Sequence, residues 1–160
     1  MPDAEPLTAP AGLAIRPAAA ADLPAIERLV LAAVREVYGH LFQDDVPRPE
    51  GNWMQALVAE QDGRIVGVIV ADDDWIEDLW VAAPDRGRGI GSRLLTAGER
   101  QIGARGHTMA HLRVVAENER ARRFYKVHGW AETSPYPHEK WGFDMLDLIK
   151  RLPRAAPSEP

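Results

Sequence analysis

The sequence predicts an α/β domain with a mixed central sheet flanked by helices. Apolar residues alternate along short stretches bounded by turn signals, which indicates strands. They recur at helical spacing along longer stretches, which indicates amphipathic helices. A chain of 160 residues has room for one domain of ordinary size. The predicted order is β-α-β-β-β-α-β-α-β, an arrangement that is typical of a single α/β domain.

A strand and an amphipathic helix open the predicted domain. Leu13 to Arg16 is the strand, and Asp22 is the predicted N-cap of the helix. Apolar residues recur at helical spacing as far as about Tyr38. The segment 39–52 is rich in Pro, Gly and Asp, and it is predicted to be a loop.

Three neighbouring strands are predicted next, and they form an antiparallel meander. Met54 to Glu60 pairs with Ile65 to Ala71 across Asp62-Gly63, because Asp-Gly is a strong signal for a two-residue hairpin turn. The acids at 72–74 turn the chain again. Trp75 to Val81 is therefore predicted as the third strand of the meander.

Helices and strands alternate in the second half of the predicted domain. A glycine-rich loop precedes a helix from about Ile90 to Arg105. Met109 to Val115 is a strand of nearly continuous apolar character. Asn118 is the predicted cap of a third helix that ends at Gly129. Trp141 to Leu152 is predicted to be the last strand.

Residues 13–152 form the predicted domain, and residues 1–12 and 153–160 are predicted to be disordered tails. The N-terminal tail has no basic start and no long apolar stretch, so a secretory signal is not expected. The longest apolar run, 65–71, is too short to span a membrane. Cysteine is absent, which excludes disulfides and thiolate ligands, and the histidines lack ligand-like spacing. We expect a cytoplasmic protein without a metal site.

Charge is distributed unevenly along the chain. The net charge of −5 argues against general nucleic-acid binding. Residues 44–81 hold ten acids and two bases, whereas residues 85–125 hold nine arginines and four acids. The first stretch is suited to a cation and the second to an anion.

A glycine-rich loop, Arg86-Gly87-Arg88-Gly89-Ile90-Gly91-Ser92, lies between a predicted strand and a predicted helix. Glycines let the backbone approach an anion, and the N–H groups at the start of a helix attract one. Arg86 and Arg88 are placed to add charge-assisted hydrogen bonds. Several strands precede the loop and no lysine follows its glycines, so it fits neither a dinucleotide fingerprint nor a Walker motif. The loop predicts a different kind of phosphate site.

Several motifs, in the right order, resemble the GNAT acetyltransferase superfamily. Arg86, Gly89 and Gly91 match the family's acyl-CoA loop, Arg/Gln-x-x-Gly-x-Gly/Ala, and Ile76-Glu77-Asp78-Leu79-Trp80-Val81 resembles the strand before it. The family's Asn…Ala…Phe-Tyr…Gly segment is matched by Asn118, Ala121, Phe124, Tyr125 and Gly129. The resemblance covers about residues 13–152. It departs at Asp85, where an aromatic residue is common, and this acid is expected to lie beside the pyrophosphate.

The resemblance implies an acetyltransferase that uses acetyl-CoA as its co-substrate. The backbone of Leu79, Trp80 and Val81 is expected to pair with the pantetheine arm, and the Val81 N–H to polarise the thioester carbonyl. The backbone of the loop is expected to hold the pyrophosphate. The full set of expected cofactor contacts is Leu79, Trp80, Val81, Arg86, Gly87, Arg88, Gly89, Ile90, Gly91, Ser92, Asn118 and Tyr125.

Three residues are candidates for acid–base catalysis. The acceptor must be a neutral amine, yet an alkyl ammonium has a pKa of about 10, so a base has to take its proton. Glu77 is assigned as the base or water relay and Asp78 as the partner of the substrate cation, although the sequence leaves their roles interchangeable. The resemblance implies that Tyr125 protonates the leaving CoA thiolate. The alternative is a tyrosine packed in the core.

The expected acceptor is a small cationic primary amine, because the acidic stretch 44–81 includes the candidate base. Tyr38 and Trp80 are candidates for lining its pocket. Glu77-Asp78, Val115-Ala116-Glu117-Asn118 and Phe124-Tyr125-Lys126 are similar to segments of polyamine and diamine acetyltransferases. Acetylation of a protein N-terminus or lysine is an alternative, and a non-catalytic acyl-CoA-binding regulatory module is another. The formation of a homodimer is left open.

Overall fold

The structure of the chain is a computed structural model that describes residues 11–154. Its helices are α1 (Leu23–Tyr38), α2 (Ile90–Ala104) and α3 (Glu119–Val127). Its strands are β1 (Leu13–Pro17), β2 (Leu57–Gln61), β3 (Arg64–Asp72), β4 (Trp75–Val81), β5 (Met109–Val115), β6 (Ala131–Glu132), β7 (Tyr136–Pro137) and β8 (Asp144–Arg151). The predicted α/β fold with a mixed sheet is confirmed. Most of the two predicted tails lies outside the described residues.

Contacts divide the chain into two compact units. The first runs to Val70 and resumes over Asp78–Gly98, so it contains β1, β2, most of β3, the end of β4, α1 and the start of α2. The second comprises Ala71–Glu77 and the chain from Glu99 onward. It contains the start of β4, the end of α2 and the remaining strands and helix.

In the first unit, β1 pairs with β2 and β2 with β3, all antiparallel. Asp62 and Gly63 have φ angles of 52° and 76°, the left-handed values that a two-residue hairpin turn requires, which confirms the predicted turn. The core of this unit forms where α1 packs on the sheet. Its buried residues are Ile26, Val30, Trp53, Ala56, Val58, Val68 and Val70.

Strand β2 begins later than predicted. Met54 belongs to a 3₁₀ turn, Trp53–Gln55, and the strand starts at Leu57. The turn closes with a hydrogen bond from the Ala56 N–H to the Trp53 carbonyl at 3.1 Å. It places the Trp53 ring in the core, where only 6% of the residue is exposed. Burial of a large aromatic side chain therefore decides the local backbone here.

The role predicted for Asp22 is only partly correct. It occupies the N-cap position of α1, but its side chain makes no capping bond to the helix. The carboxylate instead accepts a bond from the Ala19 N–H at 2.7 Å and pairs with Arg16 at 2.7 Å. This pairing lowers the pKa of Asp22 to about 2. The Asp22 side chain thus links the residues just before α1 to Arg16 of β1.

In the second unit, β5 pairs in parallel with the start of β4 and antiparallel with β8. Strands β6 and β7 also pair with β8. Both of these two-residue strands were missed, because so short a stretch carries no periodic signal. The inner face of β5 is buried at Ala110, Leu112 and Val114.

Candidate active site

The glycine-rich loop has the backbone conformation that its sequence predicts. Gly87 and Gly89 have φ angles of 77° and 81°, values that side chains other than glycine rarely tolerate. The bond from the Arg93 N–H to the Gly89 carbonyl, at 3.2 Å, closes the first turn of α2. N–H groups earlier in that turn have no acceptor within a helix, and they carry its positive end. The backbone conformation of the loop and the positive end of α2 are therefore suited to an anion.

Ile90 is one of the predicted cofactor contacts, but its side chain does not face a ligand. Its side chain is buried in the first unit, with 1% of the residue exposed. Only its backbone is left to face a ligand. The buried side chain anchors the first turn of α2 and so fixes the direction of its N–H groups.

The two arginines of the loop have different surroundings. Arg86 Nη1 donates to Glu36 Oε1 at 2.7 Å, and its Nε donates to the Val81 carbonyl at 3.2 Å. Arg88 makes a longer contact, 3.4 Å from Nη1 to Asp85 Oδ1. Arg86 is therefore tied to both α1 and the end of β4.

Asp85, expected beside the pyrophosphate, is turned inward. Its side chain is 3% exposed, and Oδ1 lies 3.4 Å from Arg88 Nη1 and 3.6 Å from Arg64 Nη2. Its Oδ2 atom is buried with no hydrogen-bond partner among the described residues. Two guanidinium groups face one carboxylate, so this corner of the loop keeps a net positive charge.

The end of β4 brings an acid and two aromatic rings together in the first unit. Trp80 Nε1 donates to Asp78 Oδ1 at 3.1 Å, since residues two apart on a strand share one face. The Tyr38 ring, at the end of α1, meets the Trp80 ring edge-on with centroids 6.2 Å apart. The pairs between β4 and β5 are Trp75 with His111 and Ile76 with Leu112. Leu79, Trp80 and Val81 lie beyond the last of them.

Glu77 and Asp78 are placed differently, although they are adjacent. Glu77 belongs to the second unit and is exposed, whereas Asp78 belongs to the first and is half-buried. Asp78 is oriented by the Trp80 indole. The exposed side chain is suited to exchange protons with water, and the oriented one is suited to hold a charge.

Asn118 has the capping role predicted for it in the second unit. Its Oδ1 accepts a bond from the Ala121 N–H at 3.2 Å at the start of α3. Arg122 fixes the same turn, because Nη1 donates to the Ala116 carbonyl at 2.9 Å and the guanidinium makes two 2.8 Å bonds to Glu132. This pairing lowers the pKa of Glu132. The turn that carries Asn118 is therefore firmly placed.

Tyr125, on α3, is 8% exposed. Its ring packs against Phe124 at 5.1 Å and Trp130 at 6.1 Å between centroids. Trp130 is itself fixed by a 3.0 Å bond from Nε1 to Glu99 Oε1, and Lys150 pairs with the same carboxylate at 2.9 Å. The ring is held by packing, so its position does not depend on the hydroxyl alone.

Two residues that position the loop were missed at the sequence level. A Cβ atom on Gly67 of β3 would lie 2.7 Å from Leu94 Cδ1 and 3.2 Å from the Trp80 carbonyl, so glycine lets α2 pack closely on the sheet. An isolated glycine inside a strand pattern is a signal for such an approach. Glu36 carried no signal, because its partner Arg86 is fifty residues away in the sequence.

Across residues 11–154, none of the helices combines the length and apolarity needed to cross a bilayer. Over the same range, no three His, Asp or Glu side chains are grouped so as to hold a metal ion.

The strand, glycine-rich loop and helix belong to a fold with a mixed sheet, in the order that the resemblance to acetyl-CoA-dependent transferases implies. The sequence model of the acetyltransferase (GNAT) family matches residues 23–130. The chain belongs to this family, and it is an N-acetyltransferase that uses acetyl-CoA as its co-substrate.

Individual relatives agree with this assignment. An uncharacterized N-acetyltransferase of Methanocaldococcus jannaschii is 34% identical over 139 residues, which cover 78% of this chain and 88% of the relative. The structure of yncA from Salmonella typhimurium, solved with its cofactor acetyl-CoA, is similar with a TM-score of 0.72 at 19% identity over 92% of this chain and 98% of that one. The structure of a ribosomal-protein-alanine N-acetyltransferase from Brucella melitensis is similar with a TM-score of 0.71 at 25% identity. The match covers 87% of this chain and 99% of that one.

Proposed function

We propose that the protein transfers an acetyl group from acetyl-CoA to the primary amine of a small cationic acceptor. The amine attacks the thioester directly in a ternary complex. The observation that carries the choice of acceptor is the cluster of Asp78, Trp80 and Tyr38 at the end of β4. The Asp78 carboxylate supplies a negative charge that attracts an ammonium group, and the neighbouring aromatic rings offer surfaces for a cation–π contact. The excess of acids over residues 44–81 adds to that attraction.

Acetyl-CoA is proposed to lie along the end of β4 and over the loop. The backbone of Leu79, Trp80 and Val81 pairs with the pantetheine arm, and the Val81 N–H polarises the thioester carbonyl. The loop backbone binds the pyrophosphate, supported by its left-handed glycines and the start of α2. Asn118, at the start of α3, is proposed to contact the cofactor as well.

Glu77 is proposed to take the proton from the acceptor ammonium, directly or through a water molecule. Asp78 holds the cation in place before attack. The neutral amine then forms a bond to the thioester carbon. The nitrogen of the adduct loses its second proton to water as the carbon–sulfur bond breaks, which leaves a neutral amide and the CoA thiolate. Tyr125 donates its hydroxyl proton to the departing CoA thiolate, and it recovers a proton from solvent afterwards.

A turnover assay with a panel of acceptors tests this function. We expect the highest kcat/KM with small diamines or polyamines, and we expect the acceptor KM to rise with salt, because screening weakens the attraction between acids and ammonium. A KM that does not change with salt, or a preference for acidic or neutral acceptors, would contradict the proposal. Binding of acetyl-CoA without turnover of any acceptor would instead indicate the non-catalytic module.

A protein N-terminus is the second candidate acceptor. It is favoured by the 25% identity to a structure named as a ribosomal-protein-alanine N-acetyltransferase. None of the relatives described above is named for a polyamine or diamine, so the similarity of Glu77-Asp78 to that branch stays a prediction. Peptides with an N-terminal alanine therefore belong in the same panel, and the ratio of kcat/KM values decides between the two classes.

Changing the two acids separately should distinguish their roles. Glu77→Gln removes the base, so we expect kcat to fall about tenfold at neutral pH. It should recover as the pH approaches the pKa of the acceptor ammonium, about 10, because more of the acceptor is then already neutral. Asp78→Asn keeps the bond from Trp80 but loses the charge, so we expect mainly a higher KM for the acceptor. Exchanged results, with Asp78→Asn changing the pH profile of kcat, would assign the base to Asp78.

A further inference from the structure

We propose that Arg86 is a positioning residue of the acetyl-CoA site. Together with Glu36 it fastens the glycine-rich loop to the end of β4, and it does not itself bind phosphate. The inference rests on the proposed binding of pyrophosphate by the loop. It differs from the expectation from sequence, in which both Arg86 and Arg88 add charge-assisted hydrogen bonds to the anion.

The hydrogen bonds of Arg86 leave its guanidinium occupied on two sides. Nη1 donates to Glu36 Oε1 at 2.7 Å, and Nε donates to the Val81 carbonyl at 3.2 Å. Its side chain is only 17% exposed, whereas that of Arg88 is 44% exposed. A guanidinium in a fixed fork that already contacts a carboxylate and a carbonyl would lose both bonds on turning toward a phosphate.

The local charges also indicate different roles for Arg86 and Arg88. The charge of Arg86 is offset by Glu36 at short range, so the pair adds little net attraction for an anion. Around Asp85, in contrast, both Arg88 and Arg64 face one carboxylate. This group keeps one positive charge in excess. The electrostatic attraction for phosphate therefore comes from the Arg88 side of the loop and from the start of α2.

The bonds of Arg86 hold the chain just before two glycines of the loop. Gly87 follows Arg86 directly and Gly89 lies two residues further on, and glycine has the widest choice of backbone conformations. Without a fixed point at Arg86, the loop would have to lose more conformational freedom when the ligand binds. The bond to the Val81 carbonyl also fixes the peptide that follows the proposed oxyanion donor.

Glu36→Gln gives opposite results under the two readings of Arg86. If Arg86 positions the loop, the substitution weakens its anchor, and we expect acetyl-CoA affinity measured by calorimetry to fall about three- to tenfold. If Arg86 binds phosphate, removal of a competing carboxylate frees it and affinity rises. An unchanged or higher affinity in this variant overturns the inference.

Variants of the arginines add controls that do not depend on Glu36. The double variant Arg86→Gln with Glu36→Gln removes the ion pair without changing the net charge, so it should weaken binding without changing its salt dependence, and it should bind no more weakly than Arg86→Gln alone. Arg86→Lys should not restore the affinity, because one ammonium group cannot make both guanidinium hydrogen bonds, to Glu36 and to the Val81 carbonyl. Arg88→Gln, the matched control, should weaken binding and also reduce its salt dependence. A reduced salt dependence in the double variant would count against the proposal.

Failure of the inference and failure of the proposed function have different signatures. If wild-type protein binds acetyl-CoA and Gly89→Glu blocks binding, the loop is the site and the Glu36 result judges Arg86 alone. If Gly89→Glu leaves binding intact, the proposed site itself is wrong. Thermal unfolding of each variant confirms that it folds, and Glu36 is half-exposed, so its substitution is compatible with a folded chain.

Discussion

Replacing Gly89 with glutamate is expected to abolish acetyl-CoA binding, with a loss of affinity of at least about a hundredfold. Gly89 has a φ angle of 81°, a conformation that strains any L-residue with a side chain. The new carboxylate would also stand where the pyrophosphate is proposed to lie. Two charges about 4 Å apart near a protein surface repel by about 4 kcal/mol, which alone exceeds the factor stated. Calorimetric titration with acetyl-CoA measures the effect.

Gly103→Glu is the matched control, because it introduces the same side chain at the other end of the same helix. A Cβ atom there meets nothing within 4 Å. We expect normal acetyl-CoA affinity and little change in the free energy of unfolding, because the better helix propensity of Glu is offset by its negative charge in the last turn of the helix. If folded Gly89→Glu protein binds acetyl-CoA like the control, the loop is not the phosphate site.

Tyr125→Phe is expected to lower kcat about 10²-fold, the low end for loss of a general acid. The effect is limited because a thiol has a pKa of about 8.5, so solvent can protonate part of the leaving group at neutral pH. The acetyl-CoA Kd should stay nearly unchanged, since the ring keeps its contacts with Phe124 and Trp130. Steady-state kinetics and calorimetry on the same preparation measure both quantities.

Tyr136→Phe is the corresponding control in the same unit. Its hydroxyl donates to Asp147 Oδ1 at 2.5 Å, and burial raises the pKa of Tyr136. Loss of this bond should cost about 1 kcal/mol of stability and leave kcat unchanged. If Tyr125→Phe behaves in the same way, with kcat within about twofold of wild type, Tyr125 is structural and the catalytic assignment is wrong.

Much of the fold was predictable because its signals are local. The Asp62-Gly63 turn needs only two residues with positive φ, and Asn118 caps α3 through an N–H three residues away. The glycine spacing of the loop likewise depends on the backbone of a few consecutive residues. These features persist in any packing that forms the strands and helices, so their positions in the sequence predict them.

The tertiary structure alone decided which partner each charged side chain takes. Nothing near Glu36 in the sequence indicates that it holds Arg86, and nothing near Asp85 indicates that it is buried between Arg64 and Arg88. The late start of β2 likewise follows from where the Trp53 ring is buried. Burial and ion pairing depend on groups that are far apart in the chain and meet only after packing. The sequence therefore determined where the glycine-rich loop lies, while the packing determined which acid each of its arginines contacts.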